Sequence, residues 1–233
     1  NESLYSTLKT GSTDYDIICP SDYMIARLIQ EDMLQPFDAE NIPNLANLDP
    51  EFRSGQDYDP EGAYSVPYLW GTVGLIYNTT MLDKAPDSWE VLWDENLSGE
   101  ILMFDNSRDA IGIALKTLGY SFNTTSAEEI QAAVDKLIEQ KPLVQAYVMD
   151  QIFDKLEAGE AAVGPYYAGD SVVMMRENPD LACVFPKEGC NYYVDAWCIP
   201  KSAENKENAE AFINYMCDVQ NMADNATYNT IIA

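Results

Sequence analysis

The sequence predicts an α/β fold, and three observations predict it. Apolar residues recur at helical spacing in some segments and gather into short continuous runs in others, and the two kinds alternate along the chain. Twice a short run ends in a polar turn that opens a helix, at Pro20-Ser21 and again at Asp105-Asn-Ser-Arg-Asp109. Strand, turn and helix in that order form the unit from which such folds are built. No internal repeat breaks the alternation.

Residues 1–10 read as the end of a helix with Leu4, Tyr5 and Leu8 on one side. Asp14 to Cys19 reads as a short strand, stopped by Pro20 and Ser21. Ser21 or Asp22 caps the next helix, whose stripe is Met24, Ile25, Leu28 and Ile29. In open α/β sheets ligands sit beyond the carboxyl ends of strands, at turns of this kind. Residues 35–62, rich in Pro, Asn and Asp, read as irregular surface. The uncharged stretch Gly62–Leu82 is long enough to raise the question of a membrane span. Pro67, Gly71, Gly74, Asn78, Thr79 and Thr80 make it a poor one, and Thr72–Tyr77 reads as a strand.

Further on, a short helix around 88–96 carries Trp89 and Trp93, and Gly99–Phe104 is a strand. A helix from near Arg108 buries Ile111, Ile113 and Leu115 or their neighbours. Ser126-Ala-Glu-Glu129 has the form of a capping box and opens a helix with Ile130, Ala133, Leu137 and Ile138 inward. Residues 150–158 form another helix that stops at Gly159, and Ala161–Gly164 is a strand leading to Tyr166 and Tyr167. The last clear helix starts near Asn205, with Ala209, Phe212, Ile213 and Met216 as its stripe.

Composition narrows the function. With 47% apolar residues in 233, the chain has enough to bury a core, and 22% charged residues without low-complexity sequence argue against disorder. The 39 acidic residues outnumber 13 basic ones, a net charge of −26. That field disfavours nucleic acid, which needs clustered Lys and Arg, and draws cations toward any cleft. There is no histidine, which removes Ser-His-Asp and Cys-His catalysis and every His-containing metal site. The cysteines, Cys19, Cys183, Cys190, Cys198 and Cys217, are odd in number and lack CxxC spacing. They read as buried free thiols, with a Cys183–Cys190 pair across a hairpin as the alternative. No metal and no cofactor is called for.

Aromatic rings meet carboxylates or amides at several strand ends: Ser21 with Tyr23, Asn106 with Asp109, Tyr166 with Tyr167, and Tyr192-Tyr193-Val194-Asp195. A site for an alkylammonium ion wants this mixture. Carboxylates accept the N–H groups, and ring faces cover the methylenes and attract the charge by about 0.5–2 kcal/mol. Burying a polycation takes several acids, because each charge needs an opposite partner. Each residue also has a plain structural reading. A tyrosine is often a half-buried core residue with a wet hydroxyl, and Asp109 suits the first turn of a helix. Asp195, between Val194 and Ala196, is harder to read plainly.

At these same residues the chain resembles the spermidine/putrescine-binding proteins of ATP-driven (ABC) bacterial importers. The resemblance covers almost all of positions 1–216. It is carried by Tyr15–Tyr23, Val66–Asn78, Ala114–Thr125, Val184–Gly189 and Tyr193–Pro200, five stretches in the family's order. It implies a two-lobed, periplasmic-binding-protein-like fold of type II, without enzymatic activity, in which an acidic, aromatic cleft between the lobes takes a polyamine. The family's Ser-x-Tyr falls on Ser21 and Tyr23, its acidic turn on Asn106 and Asp109, an aromatic position on Tyr167, and its aromatic-x-Asp element on Tyr193 and Asp195. Asp109 and Asp195 would hold ammonium groups, Tyr23, Tyr167 and Tyr193 would cover the chain, and Ser21 and Asn106 would hydrogen-bond.

The chain departs from the family in three ways. Asn106 stands where Asp is frequent, and Tyr167 and Tyr193 stand where Trp is common. The first lobe is expected to be incomplete, without the family's opening strand and its final helices. The lobes are expected at 1–69 with 196–233 and at 70–195, with bending at Trp70–Gly74 and Asp195–Trp197. The implied partners are a polyamine and a membrane permease, and the implied location is periplasmic or extracellular, with a lipid anchor in some full-length forms. Three other readings stand beside this one. They are a binding protein for another small solute, a glycosidase-like hydrolase using Asp105 and Asp109, and a ligand-sensing domain of a receptor or fused permease.

Overall fold

The computed structural model describes residues 1–11, 13–53 and 56–229. It divides into two compact units, Asn1–Trp70 with Tyr193–Ala233, and Gly71–Tyr192. The first unit opens with α1 (Glu2–Lys9), which buries Tyr5. The Tyr5 hydroxyl donates to both oxygens of Glu31, at 2.9 and 2.7 Å, and Arg27 and Lys9 meet the same carboxylate at 2.9 and 3.0 Å. This knot ties α1 to the end of α2 (Asp22–Gln30). Helix α2 buries Met24, Ile25 and Leu28 against Tyr5 and Ile18, as its 3–4 spacing demands.

The strand expected over 14–19 is reduced to two isolated bridges, Ile18 with Cys198 and Ser21 with Asp195. The two bridges share one register with β7, and Pro20 between them, with no N–H to donate, accepts from the Ala196 N–H at 3.2 Å. After the short β1 (Leu34–Gln35) the chain enters the segment expected to be irregular surface, and here the expectation needs correction. Two 3-10 turns, Ala39–Asn41 and Pro43–Asn47, and α3 (Pro50–Arg53) form within it. Ile42, Leu45 and Leu48, three residues apart in step with a 3-10 period, are buried in a core of their own. The uncharged stretch becomes one 14-residue strand, β2 (Ser65–Asn78), through which the chain passes from the first unit into the second.

The second unit continues through 3-10 turns at Trp89–Trp93 and Glu95–Leu97 to β3 (Ile101–Phe104), buried at all four positions. Helix α4 (Ser107–Thr117) is capped by Asn106, whose side chain accepts from the Arg108 N–H. Helix α5 (Ala127–Gln140) keeps half of the expected capping box. Ser126 accepts from the Glu129 N–H at 3.4 Å, while the Glu129 carboxylate takes the Thr124 hydroxyl instead of reaching back. Ala133 is buried, but Ile138 is 62% exposed and Ile130 is exposed as well. The inward stripe is therefore narrower than expected.

Strand β4 (Val144–Val148), α6 (Gln151–Glu157), β5 (Val163–Tyr167), α7 (Ala168–Glu177) and β6 (Leu181–Val184) follow. Gly159, at φ 71°, turns the chain out of α6. Within this unit the strands run β6-β2-β5-β3-β4. Strands β3, β4 and β5 are mutually parallel where they pair, and β2 is antiparallel to β5 and β6. Leu75, Ile76, Leu102, Met103, Val163 and Trp89 form the centre of the core. Strands β3 and β5 are buried at nearly every position, as inner strands of such a sheet are, while β4 at the edge alternates between half-buried and exposed residues.

The chain re-enters the first unit along β7 (Tyr192–Pro200), which pairs antiparallel with β1. Val194, Ala196 and Cys198 face inward, and Tyr193, Asp195 and Trp197 alternate with them on the other face. Helix α8 (Lys206–Met216) buries Ala209 and Ile213 against Ile42 and Leu45. Phe212, expected inward, is 42% exposed and packs edge-on against Trp197. Helix α9 (Val219–Asn229) ends the described chain. All five thiols are free, and Cys198 and Cys217 are buried. No helix among the described residues is long and apolar enough to cross a membrane.

Candidate functional site

In the second unit, topology explains why three of the expected residues meet. Strands β3 and β5 are parallel, so their carboxyl ends share one edge of the sheet. One end delivers Asn106 and the first turn of α4, the other delivers Tyr167. Asp109, on that first turn, is only 4% exposed. Its Oδ2 accepts from Asn106 Nδ2 at 2.8 Å and lies 3.5 Å from the Tyr167 hydroxyl, which is also 3.5 Å from the Asn106 amide nitrogen. Its Oδ1 accepts from Asn191 Nδ2 at 2.8 Å. Asn191 was not among the expected residues. It stands 82 positions away from Asp109, and nothing in the local sequence marks the pairing.

Tyr167 rests on an aromatic shelf, with Phe104 and Tyr166 at centroid distances of 5.5 and 5.0 Å. Tyr166 is fully enclosed and donates its hydroxyl to Asp150 at 2.8 Å. Burial and the Asp150 carboxylate push the Tyr166 phenol far up, so it stays a donor. Asp170, at the start of α7, is raised by burial and then by the charge of Asp150. Asp105, the other carboxylate of the hydrolase reading, is exposed while Asp109 is buried. The two therefore sit in unlike environments.

In the first unit, Ser21 is the N-cap residue of α2 and bridges to Asp195 on β7. Its hydroxyl accepts from Asn1 Nδ2 at 3.0 Å. Strand alternation accounts for the carboxylate among apolar neighbours, because Asp195 shares a face with Tyr193 while Val194 and Ala196 point to the core. Asp195 Oδ1 is nevertheless buried and has no hydrogen-bond partner among the described residues. Burial raises the Asp195 carboxyl above its ordinary value, the Ser21 hydroxyl offsets part of this, and the charge of Asp22 adds to the rise. Burial, and then the charge of Asp195, push the neighbouring Cys19 thiol up to about 12. Asp22 itself accepts from the Tyr23 and Val194 N–H groups at 2.6 and 3.2 Å, fixing the start of α2 to β7. The Tyr23 hydroxyl donates to Glu2 at 2.8 Å.

The seven expected residues thus fall into two groups. Asn106, Asp109 and Tyr167 are in mutual contact in the second unit. Ser21, Tyr23, Tyr193 and Asp195 belong to the first, where Ser21 and Asp195 are directly paired.

A family described as bacterial extracellular solute-binding protein matches residues 2–233. The chain is 36% identical over 218 residues to the spermidine/putrescine-binding periplasmic protein of Salmonella typhimurium, covering 93% of this chain and 62% of that one. It therefore spans less than two thirds of that relative's length. Among solved structures, the spermidine/putrescine ABC transporter substrate-binding protein PotD of Streptococcus pneumoniae is 38% identical. It superposes with a TM-score of 0.81 over 98% of this chain and 70% of that one. The Tp0655 lipoprotein of Treponema pallidum is 27% identical, with a TM-score of 0.89 over 97% and 72%. The fold is that of the periplasmic binding proteins.

Proposed function

Because the chain belongs to the family of bacterial extracellular solute-binding proteins, we propose that it captures a polyamine, putrescine or spermidine, and delivers it to the membrane permease of an ABC importer. The reading places it outside the cytoplasm, held near the permease by a lipid anchor. The names of its relatives support the ligand class, and one relative of known structure, 27% identical, is a lipoprotein, which supports the anchor.

The observation that carries the proposal is the Asp195 Oδ1 atom, buried and without a donor among the described residues. A carboxylate left so costs about 1–3 kcal/mol, more for a full charge, unless something donates to it. An alkylammonium group supplies N–H donors and the opposite charge together. Asp109 offers a second buried carboxylate beside the Tyr167 ring, whose face suits methylenes and a nearby cation. A net charge of −26 concentrates cations around the whole molecule and speeds their arrival.

Titration calorimetry with putrescine and spermidine tests the proposal. Saturable binding of either one that weakens on Asp195→Asn is expected. An absence of binding to both, in a protein with the melting behaviour of a folded chain, would falsify it.

A further inference from the structure

Resting on the polyamine reading above, we propose that Asn106 and Asn191 form a two-amide clamp on Asp109 that limits the second unit's group to one ammonium, and so selects diamines over triamines. Both oxygens of the buried Asp109 accept an amide N–H at 2.8 Å, one from each asparagine. The orientation of Asn106 is forced. Its carbonyl oxygen accepts the Arg108 N–H at 3.0 Å as the cap of α4, while its nitrogen faces the carboxylate. Turning the amide over would set N–H against N–H and oxygen against oxygen, so the clamp holds a single rotamer.

The consequence is a count of charge. Two amides position Asp109 but add no negative charge, so this group offers a single anion to a ligand. Of the unit's other carboxylates discussed above, Asp150 is engaged by the Tyr166 hydroxyl, Asp170 is half-buried and disfavoured as an anion by burial and by Asp150, Glu129 takes the Thr124 hydroxyl, and Asp105 is exposed. A primary ammonium matches one carboxylate. The secondary ammonium of a triamine brings a further charge, and a charge taken out of water without its own partner is costly. Selectivity is a difference of affinities, and here the disfavoured ligand is the one with the surplus charge.

The test compares the wild-type protein with Asn106→Asp and Asn191→Leu by calorimetry, using putrescine and spermidine at one pH and salt concentration. Asp caps helices as well as Asn does, so Asn106→Asp keeps the acceptor for Arg108 and should fold. It places a second carboxylate against Asp109, and the pair will share a proton until a cation arrives. The wild type is expected to prefer putrescine. Asn106→Asp is expected to move the spermidine-to-putrescine affinity ratio at least about tenfold toward spermidine. Its binding heat should also vary with buffer ionisation enthalpy, as proton release requires. Asn191→Leu should weaken both ligands by a similar factor and leave the ratio where it was. Wild-type protein that binds spermidine as tightly as putrescine, or an Asn106→Asp ratio that does not move, overturns the selectivity while leaving the polyamine reading intact. Binding of neither ligand to the wild type overturns both.

Discussion

Ser21 and Asp195 face one another as an antiparallel bridge, which brings the cap position of one helix against a carboxylate that burial and Asp22 both disfavour. A group held ionised against its surroundings is a cost of the unliganded fold, and such costs gather where ligands bind.

Asp195→Asn should therefore stabilise the unliganded protein while damaging binding. Removing a buried unpaired charge is worth on the order of 1 kcal/mol here, or about 2–4 °C in Tm for a chain of this size. Polyamine affinity should fall at least about tenfold, since a full charge pair is lost. Thermal melts with and without ligand, alongside calorimetry, read both changes. A lower Tm and unchanged affinity together would assign Asp195 an ordinary structural role.

The same carboxyl sets a pH dependence. Its folded pKa is raised above the ordinary 3.8, so the folded chain binds this proton more tightly than the unfolded chain does. The contribution of Asp195 to unliganded stability consequently improves as pH falls through the raised value, and deteriorates as pH rises. Binding runs the opposite way, because the ammonium needs the ionised form. Putrescine affinity should fall on acidification, starting at a higher pH than an unperturbed carboxylate would give. Calorimetry between about pH 4 and 8 follows this, and Asp195→Asn should remove that portion of the profile.

Tyr166→Phe removes the hydroxyl given to Asp150 but keeps the ring under Tyr167. The loss of one buried hydrogen bond should cost about 1–2 kcal/mol of stability and leave Asp150 without its donor. Ligand affinity should fall by less than about threefold, because the ring shelf remains. Tyr167→Ala should cost about tenfold or more through the lost ring face. Equal effects of the two substitutions on affinity would mean that Tyr167 acts only through the packing of its neighbours.

Glu31 offers a test remote from the binding residues. Hydrogen bonds from Tyr5, Arg27 and Lys9 lower its carboxyl from the usual 4.5 to about 2. A depressed carboxyl contributes stability above its unfolded value, and that contribution disappears as pH falls toward about 2. Glu31→Gln should lower Tm at neutral pH, flatten this part of the acid limb and leave polyamine affinity unchanged. The group is open to solvent, so the Tm difference should shrink in high salt.

Much of this was legible in the sequence where one local signal sufficed. The Ile101–Phe104 run is a buried strand, Asn106 caps a helix as its position between strand and stripe requires, and Gly159 ends α6. The signal failed where the deciding partner lay elsewhere. The segment at 14–19 has strand composition, but its pairing with β7 lies only at Ile18 and onward to Ser21, set by Cys198 and Asp195 from far along the chain. Ile42, Leu45 and Leu48 sit among turn formers, and only α8, contributed from 206–216, makes their burial worthwhile. Ile138 looks like a core residue until α5 is placed with Ala133 and Leu137 toward its neighbour. Strand β4 and helix α7 are weakly marked in the sequence: the first is an edge strand of only five residues, and the second follows Tyr167 directly. At the binding residues, chemical type was readable but engagement was not. Asn191 closes on Asp109 only because the fold returns it there.

The division of the chain at Trp70 and Tyr193 carries a consequence for its birth on the ribosome. Residues 71–192 are contiguous, so that unit can complete its core while synthesis is still under way. The other unit must wait, since Ala196, Cys198, Ile199, Ala209 and Ile213 complete cores begun by Tyr5, Met24, Ile42 and Leu45. Its early helices therefore emerge with greasy faces that have no cover until residues 196–213 appear. That interval is when a holding chaperone would matter most.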